Sequence, residues 1–254
     1  MTTAKQIWDN FCTAHRLASN SVPLFACDKL GFVETKEIGQ KAKRKVLVRH
    51  RDMEELILRE VDLLTEDWSR KTHEYDGLIY IMHQRGSDGS LVPLYIGKAE
   101  TFGKGGGNLS ANLFNLRTSK NKFARWGDNY AYHIGDLSAA VLTGHPLEKR
   151  NPKYSEWASK MFKSAPTEQP QLAFDVYFWA KAWKSTDVGI WPELSPTRLA
   201  FLEYLLIGVA STAFGGSLLN YEGRNRALSY VSAELGADTP ARLARNALAK
   251  AIIR

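Results

Sequence analysis

Residues 76–100, DGLIYIMHQRGSDGSLVPLYIGKAE, constrain the fold more than any other part of the chain. Two apolar runs, each carrying a tyrosine, flank RGSDGS, whose Gly, Asp and Ser supply turn chemistry. That pattern predicts a β-hairpin with strands near 77–83 and 92–97. Tyr80 lies in the first strand and Tyr95 in the second, and Ile96, Gly97 and Lys98 follow Tyr95 directly. Cross-strand aromatic packing accounts for such a pair structurally. A shared chemical task is the functional alternative.

Helix and strand patterns surround the hairpin. In DMEELILREVDLLTEDW the apolar residues Met53, Leu56, Ile57, Val61, Leu64 and Trp68 have the spacing of one helix face. Residues 108–126, with Leu109, Leu113, Leu116, Phe123 and Trp126, predict one or two helices. Residues 129–142 read as a strand or a strand with a turn, and LAFDVYFWAKAW (172–183), rich in aromatic and β-branched residues, as another strand. Between these two, LEKRNPKYSEWASKMFKSAPTEQPQ reads as an inserted helix bounded by prolines. Ser195-Pro196 marks a helix start, with Ser as N-cap and Pro first in the helix, and Gly215-Gly216 ends it. Thr239-Pro240 opens a last helix that carries Arg242, Arg245, Lys250 and Arg254.

With 254 residues, 44% of them hydrophobic, the chain can bury a sizeable core. Its two cysteines are too few for a disulfide framework and lack the Cys and His spacing of a zinc site, so a reducing, cytoplasmic setting is expected. Lys5, Asp9, His15 and Arg16 interrupt the N-terminus, which does not read as a signal peptide. The most apolar stretch, LAFLEYLLIGVASTAF, contains Glu203 and falls short of the roughly 18 residues a membrane span needs, so no membrane partner is expected.

A formal charge of +7 points toward a polyanionic partner. In KAKRKVLVRHR (41–51), Lys43, Arg44, Lys45 and Arg49 surround Val46, Leu47 and Val48. Such a strand is either a solvated edge kept from aggregating by its charges or a surface that contacts phosphates. TFGKGGGN has the glycines of a phosphate cradle without the order of either phosphate-binding glycine motif, and reads as a loop.

Glu203 sits among Leu199, Leu202 and Leu206 in helical projection, where an ionised carboxylate is desolvated unless something positive meets it. An arginine partner in the core is one solution. A hard cation such as Mg²⁺ is the other, since it needs only one or two protein carboxylates. Asn220, after Leu218-Leu219, can brace a loop or touch a phosphate. Arg117 and Arg125 can each clamp a phosphate bidentately or stabilise a phenolate.

These residues resemble the GIY-YIG nuclease family. LIYIM (78–82) followed by LYIGKAE (94–100) is similar to its signature, matched literally at Tyr95-Ile96-Gly97 and at Ile79-Tyr80, with Leu78 where the family usually has Gly. LEYLLIGVASTAFGGSLLN resembles its distal element, a helix with a Glu and then a loop ending in Asn. The resemblance covers roughly residues 75–224.

It implies an α+β fold, with a small central mixed sheet flanked by helices. The implied organisation is a helical, basic N-terminal extension over 1–72, a catalytic domain over 73–225 with an insertion around 144–170, and a basic C-terminal helix over 226–254. The implied activity is metal-dependent hydrolysis of DNA phosphodiester bonds, in restriction or repair, with one Mg²⁺ or Mn²⁺ per site. Tyr80 would activate the attacking water and Tyr95 orient water or phosphate. Arg125, favoured over Arg117, would share the phosphate charge, Glu203 would bind the metal, and Asn220 would support the site or the substrate backbone. Lys98 and His133 are supporting candidates, and Lys43, Arg44, Lys45 and Arg49 are candidates for touching nucleic acid. Double-stranded DNA is the expected partner, bound by a homodimer, in a cytoplasmic, nucleoid-associated setting. The alternative is a protein that binds nucleic acid on the same scaffold without cutting it.

Overall fold

The computed structural model describes residues 2–40, 43–103, 108–114 and 116–222. In chain order they form α1 (Ala4–Ala14), α2 (Leu17–Asn20), β1 (Val22–Pro23), β2 (Thr35–Ile38), β3 (Arg44–Leu47), α3 (Arg51–Arg70), β4 (Tyr75–Arg85) and β5 (Leu91–Glu100). Then follow α4 (His133–Val141), α5 (Pro152–Met161), β6 (Tyr177–Lys184) and α6 (Leu199–Phe214). The helix expected over 239–254 and glycines 105–107 of the Gly-rich loop lie outside the described residues.

The predicted hairpin forms as β4 and β5, longer at both ends than its sequence suggests, and Tyr80 pairs directly with Gly97. Four strands make the main sheet, in the order β1-β6-β4-β5, and β2 pairs with β3 separately. The fold is α+β as expected. The sheet is antiparallel rather than mixed, because β5 and β6 flank β4 and both run against it.

Strand alternation divides the core in two. Leu78, Tyr80 and Met82 point to one face, where Leu56, Ile57 and Val61 of α3, Ile134 and Leu137 of α4, and Trp157 of α5 cover them. Ile79, Ile81 and Ile96 point to the other, against Trp8 and Phe11 of α1 and Leu202 and Leu206 of α6. Each side chain of this kind, fully buried, contributes about 1.5–3 kcal/mol.

The helix expected over 52–68 is α3, and the strand expected over 172–183 is β6. Residues 129–142 form not a strand but a turn followed by α4, buried on nearly every side. A helix without a polar face carries no 3.6-residue stripe in its sequence, so periodicity cannot reveal it. The described residues of 108–126 form no α-helix; turns and the 3-10 segments Lys120–Lys122 and Ala124–Trp126 take their place. Their Asn, Ser and Thr side chains compete with helical backbone bonding.

The start of α6 is also displaced. Ser195 and Pro196 lie in the preceding turn, and the helix begins at Leu199, whose N–H donates to Asp76 Oδ2 at 3.1 Å. Asp76, from β4, also pairs with Arg198 at 2.7 Å, so a carboxylate from the sheet meets the positive end of the helix. Leu199–Ser217 is, by length and composition, apolar enough to cross a membrane, contrary to the length expected from sequence. In this fold it lies along β5 and α1 as a core helix.

Residues 1–72 do not stand apart from the rest. β1 pairs with β6, α1 shares a core with α6, and Trp8 Nε1 donates to Leu91 O at 2.7 Å. The boundary expected at 72/73 therefore falls inside one packed unit.

Candidate functional site at the open edge of the sheet

β5 is the edge strand, so every second residue turns its backbone polar groups away from β4. Ile96 and Lys98 are such residues. The Asn220 side chain closes on Ile96, accepting from its N–H at 3.0 Å and donating to its carbonyl at 2.7 Å. Leu219 N–H donates to Leu94 O at 2.6 Å. The Lys98 N–H lies near the Glu203 carboxylate and favours its charged form. Two side chains distant in sequence thus finish the ladder that the sheet leaves open, which leaves the 5%-exposed Asn220 amide bonded to β5 rather than free for a substrate.

β5 presents Tyr95, and its neighbour β4 presents Tyr80. Tyr95 pairs with Met82 and so lies diagonal to Tyr80 on one sheet face, with ring centroids 6.2 Å apart. Tyr80 is 2% exposed, stacked on Phe178 and edge-on to Trp126. Its ring crosses directly over Gly97, where a Cβ would come within 2.5 Å of Tyr80 Cζ. The glycine after Tyr95-Ile96 is therefore the space that Tyr80 occupies. Burial pushes the Tyr80 phenol well above its ordinary value, with neighbouring Tyr95 adding to the rise and Arg125 opposing it. Tyr95 is only partly buried and is pushed up to about 12, by burial and by Glu203, with Arg125 and the neighbouring Tyr80 opposing. Tyr95 faces outward and Tyr80 stands behind it.

Arg125, exposed in the 3-10 segment Ala124–Trp126, acts electrostatically on Tyr80, Tyr95 and Glu203 together. Arg117 is turned elsewhere, its Nε donating to Asp62 of α3 at 3.0 Å. The structure thus separates the two arginines that the sequence left as alternatives. Burial raises the Glu203 carboxyl, while Lys98 and Arg125 pull it down and Glu100 adds to the rise. Lys98 is paired with Glu100 beside it.

His133, expected on a strand, is the first residue of α4 and is buried. Its Nε2 lies 3.3 Å from Tyr80 Oη and its Nδ1 2.6 Å from Tyr154 Oη. Burial holds it well below its ordinary pKa, and the charges of Lys153 and Arg125 act in the same direction. Tyr154, Trp157 and Lys153 come from α5, in the stretch read as an insertion, and sequence reasoning missed all three. Lys153 Nζ sits 3.5 Å from Tyr95 Oη and 4.9 Å from its ring centroid. The signal was the Asn151-Pro152 helix start, which sets Tyr154 and Trp157 three residues apart on one face.

The basic strand divides by residue. Arg49 is 4% exposed, its guanidinium bound to Glu54 at 2.9 Å and Asp128 at 3.1 Å, so it offers no surface to a phosphate. This corrects its expected role: the pattern of charges around Val46–Val48 does not tell which one folds inward. Arg44 is half-buried, stacked 4.0 Å over Tyr130, and Lys43 and Lys45 are exposed.

Among the described residues no group of three or more His, Cys, Asp or Glu is placed to hold a metal. The lone Glu203 carboxylate fits a hard, oxygen-seeking cation that completes its octahedron with water and substrate oxygens. Its burial fits too, since a bound cation offsets the cost of desolvating a carboxylate.

The fold defines an α+β protein with an antiparallel sheet, in which one phenol of the edge strand, one of the strand behind it, an arginine and a helix carboxylate act on one another. No family model matches the chain, and no curated protein or solved structure matches it either.

Proposed function

We propose that the protein is a metal-dependent endonuclease of the GIY-YIG type that hydrolyses phosphodiester bonds of double-stranded DNA. The observation that carries this reading is the convergence of Tyr95, Arg125 and Glu203 on the open edge of β5, with Tyr80 and His133 behind them.

Hydrolysis needs a proton acceptor for the attacking water and charge stabilisation at the phosphate. Tyr95 in its phenolate form accepts the water proton as the water oxygen bonds to phosphorus and the bond to the 3′ oxygen breaks. Arg125 favours that phenolate and binds the non-bridging oxygens. Glu203 opposes it, raising Tyr95 while its own charge is unmatched. Glu203 would hold Mg²⁺ or Mn²⁺, which when bound would supply positive charge to offset negative charge on the phosphate and the departing oxygen. Asn220 keeps β5 in register beneath them. Lys43 and Lys45 are accessible to flanking phosphates. One site per chain cuts one strand at a time, so two copies on DNA belong to the proposal, as does a nucleoid-associated location.

The test is plasmid cleavage in Mg²⁺ by the wild type, Glu203→Ala and Tyr95→Phe. Each variant is expected to lose roughly 10²–10⁴ in rate. An intact plasmid with the wild type in Mg²⁺ and Mn²⁺ at all salt concentrations ends the nuclease reading. Equal cutting by Glu203→Ala ends the metal assignment. Salt-sensitive gel retardation without cutting points to the non-catalytic nucleic-acid binder.

A further inference from the structure

We propose that Tyr154, on α5, is a positioning residue that fixes the tautomer of His133 and thereby aims the Tyr80 hydroxyl at Tyr95. The tautomer stands on the geometry of Tyr154, His133 and Tyr80; its use in catalysis rests on the nuclease reading.

A neutral imidazole has one N–H and one bare nitrogen, and here each nitrogen faces a phenol oxygen. The two distances differ. At 2.6 Å, Nδ1 to Tyr154 Oη is shorter than the ordinary 2.7–3.2 Å of an N–H donor to oxygen, as suits the more acidic phenol O–H in the donor role. Tyr154 therefore donates to Nδ1, and His133 carries its proton on Nε2. That N–H points at Tyr80 Oη across a weaker 3.3 Å.

With its oxygen facing an N–H, Tyr80 must send its own proton elsewhere, and the phenol beside it on the same sheet face is Tyr95, with ring centroids 6.2 Å apart. Every proton in the series Tyr154, His133, Tyr80, Tyr95 then points outward. Lys153 Nζ donates to the same Tyr95 oxygen at 3.5 Å. Two donors converging on one phenol oxygen favour its ionised form. The opposite tautomer would turn the Tyr80 hydroxyl back to Nε2 and strip Tyr95 of one donor.

The groups that face His133 are Tyr80 from β4, Tyr95 from β5, Trp126 and the charge of Arg125 from the 3-10 segment, and Tyr154, Trp157 and the charge of Lys153 from α5. None is a carboxylate that would hold a second proton on the ring. Of these groups only Tyr154 meets Nδ1 with a hydroxyl, so the choice of tautomer falls to it.

The test is two-bond ¹H–¹⁵N correlation NMR of the full chain with ¹⁵N-labelled histidine, His133 assigned by the spectrum of His133→Gln. The wild type is expected to carry the proton on Nε2, and Tyr154→Phe to move it wholly or partly to Nδ1. A wild-type proton on Nδ1 overturns the proposal, as does a folded Tyr154→Phe with an unchanged tautomer; the wild-type spectrum decides alone if that variant fails to fold. In plasmid cleavage Tyr154→Phe is expected to shift the rising limb of the pH–rate profile to higher pH and slow cutting about tenfold at neutral pH. A wild type with the Nε2 proton but no cleavage removes the nuclease reading and leaves the chain standing. Cleavage with the proton on Nδ1 does the reverse.

Discussion

Gly97 shows how one absent side chain determines a site. The Tyr80 ring occupies the space above it, and neighbours on three sides hold that ring: Phe178, Trp126 and His133. Gly97→Ala is expected to cost about 1–3 kcal/mol, because a packed ring must leave its position to admit a methyl group. Urea denaturation measures it, and an unchanged midpoint would mean that Tyr80 does not lie over Gly97. Asp136 gives a second test at this scale. Burial raises its carboxyl to about 6, with Lys153 and Lys149 opposing, against an ordinary value near 3.9. The folded chain then binds that proton more tightly than the unfolded chain, so stability falls as pH rises from about 4 to 6. Asp136→Asn is expected to add about 1 kcal/mol at pH 8, the full shift being discounted for solvent screening of a half-exposed group, and close to nothing at pH 4. Denaturation at the two pH values checks the sign.

At the scale of elements, the open sheet edges explain several polar residues at once. Glu203 and Asn220 close β5, and Glu60 of α3 accepts from Ala182 N–H of β6 at 2.9 Å, beyond the short reach of β1. Capping by side chains keeps both edges from pairing with other chains. It also gives Glu203 a structural duty beside its proposed chemical one. The strand that ends in Arg49 makes a sharper division. Arg49→Ala is expected to destabilise by about 3–5 kcal/mol, because Asp128 and Glu54 lose a buried partner. Lys43→Ala with Lys45→Ala is expected to leave stability within about 0.5 kcal/mol and to lower the slope of log affinity against log salt by about 0.9 for each phosphate no longer neutralised. Denaturation and DNA binding measured over a salt series separate the two effects. An unchanged slope in the double variant removes the strand from the DNA-binding surface.

At the scale of the whole molecule, the sheet has two apolar faces and needs both its layers. α1 supplies one of them, and Trp8, fully buried, joins α1 to the end of β5 through Leu91. Trp8→Ala is expected to cost about 3–5 kcal/mol although it lies more than seventy positions from the hairpin tyrosines in sequence. A loss below about 1 kcal/mol by urea denaturation would mean that the N-terminal helix is dispensable to the core. The α5 segment illustrates the same dependence from the other side of the sheet. Read along the chain it is an interruption between two strands, yet its Lys153, Tyr154 and Trp157 close around Tyr95 and His133.

By itself the sequence determined the hairpin, α3, β6 and most of α6, because each is written in local pattern: alternation, a 3.6-residue stripe, or turn residues at the ends. It also picked out Tyr80, Tyr95, Glu203 and Asn220, since a short motif keeps its spacing on a strand and a lone carboxylate is conspicuous among leucines. Helix α4 was hidden because a helix buried all round has no polar face to mark its period. Other choices lay between residues far apart in the chain and were left to tertiary structure. Packing turned Arg49 inward and Lys43 outward, set Arg125 rather than Arg117 beside the phenols, and spent the Asn220 amide on Ile96. It also put Tyr95 outside and Tyr80 within. Solvent access and electrostatic environment depend on what folds over a residue, and for these side chains the covering elements come from 50 to 200, on both sides of the hairpin.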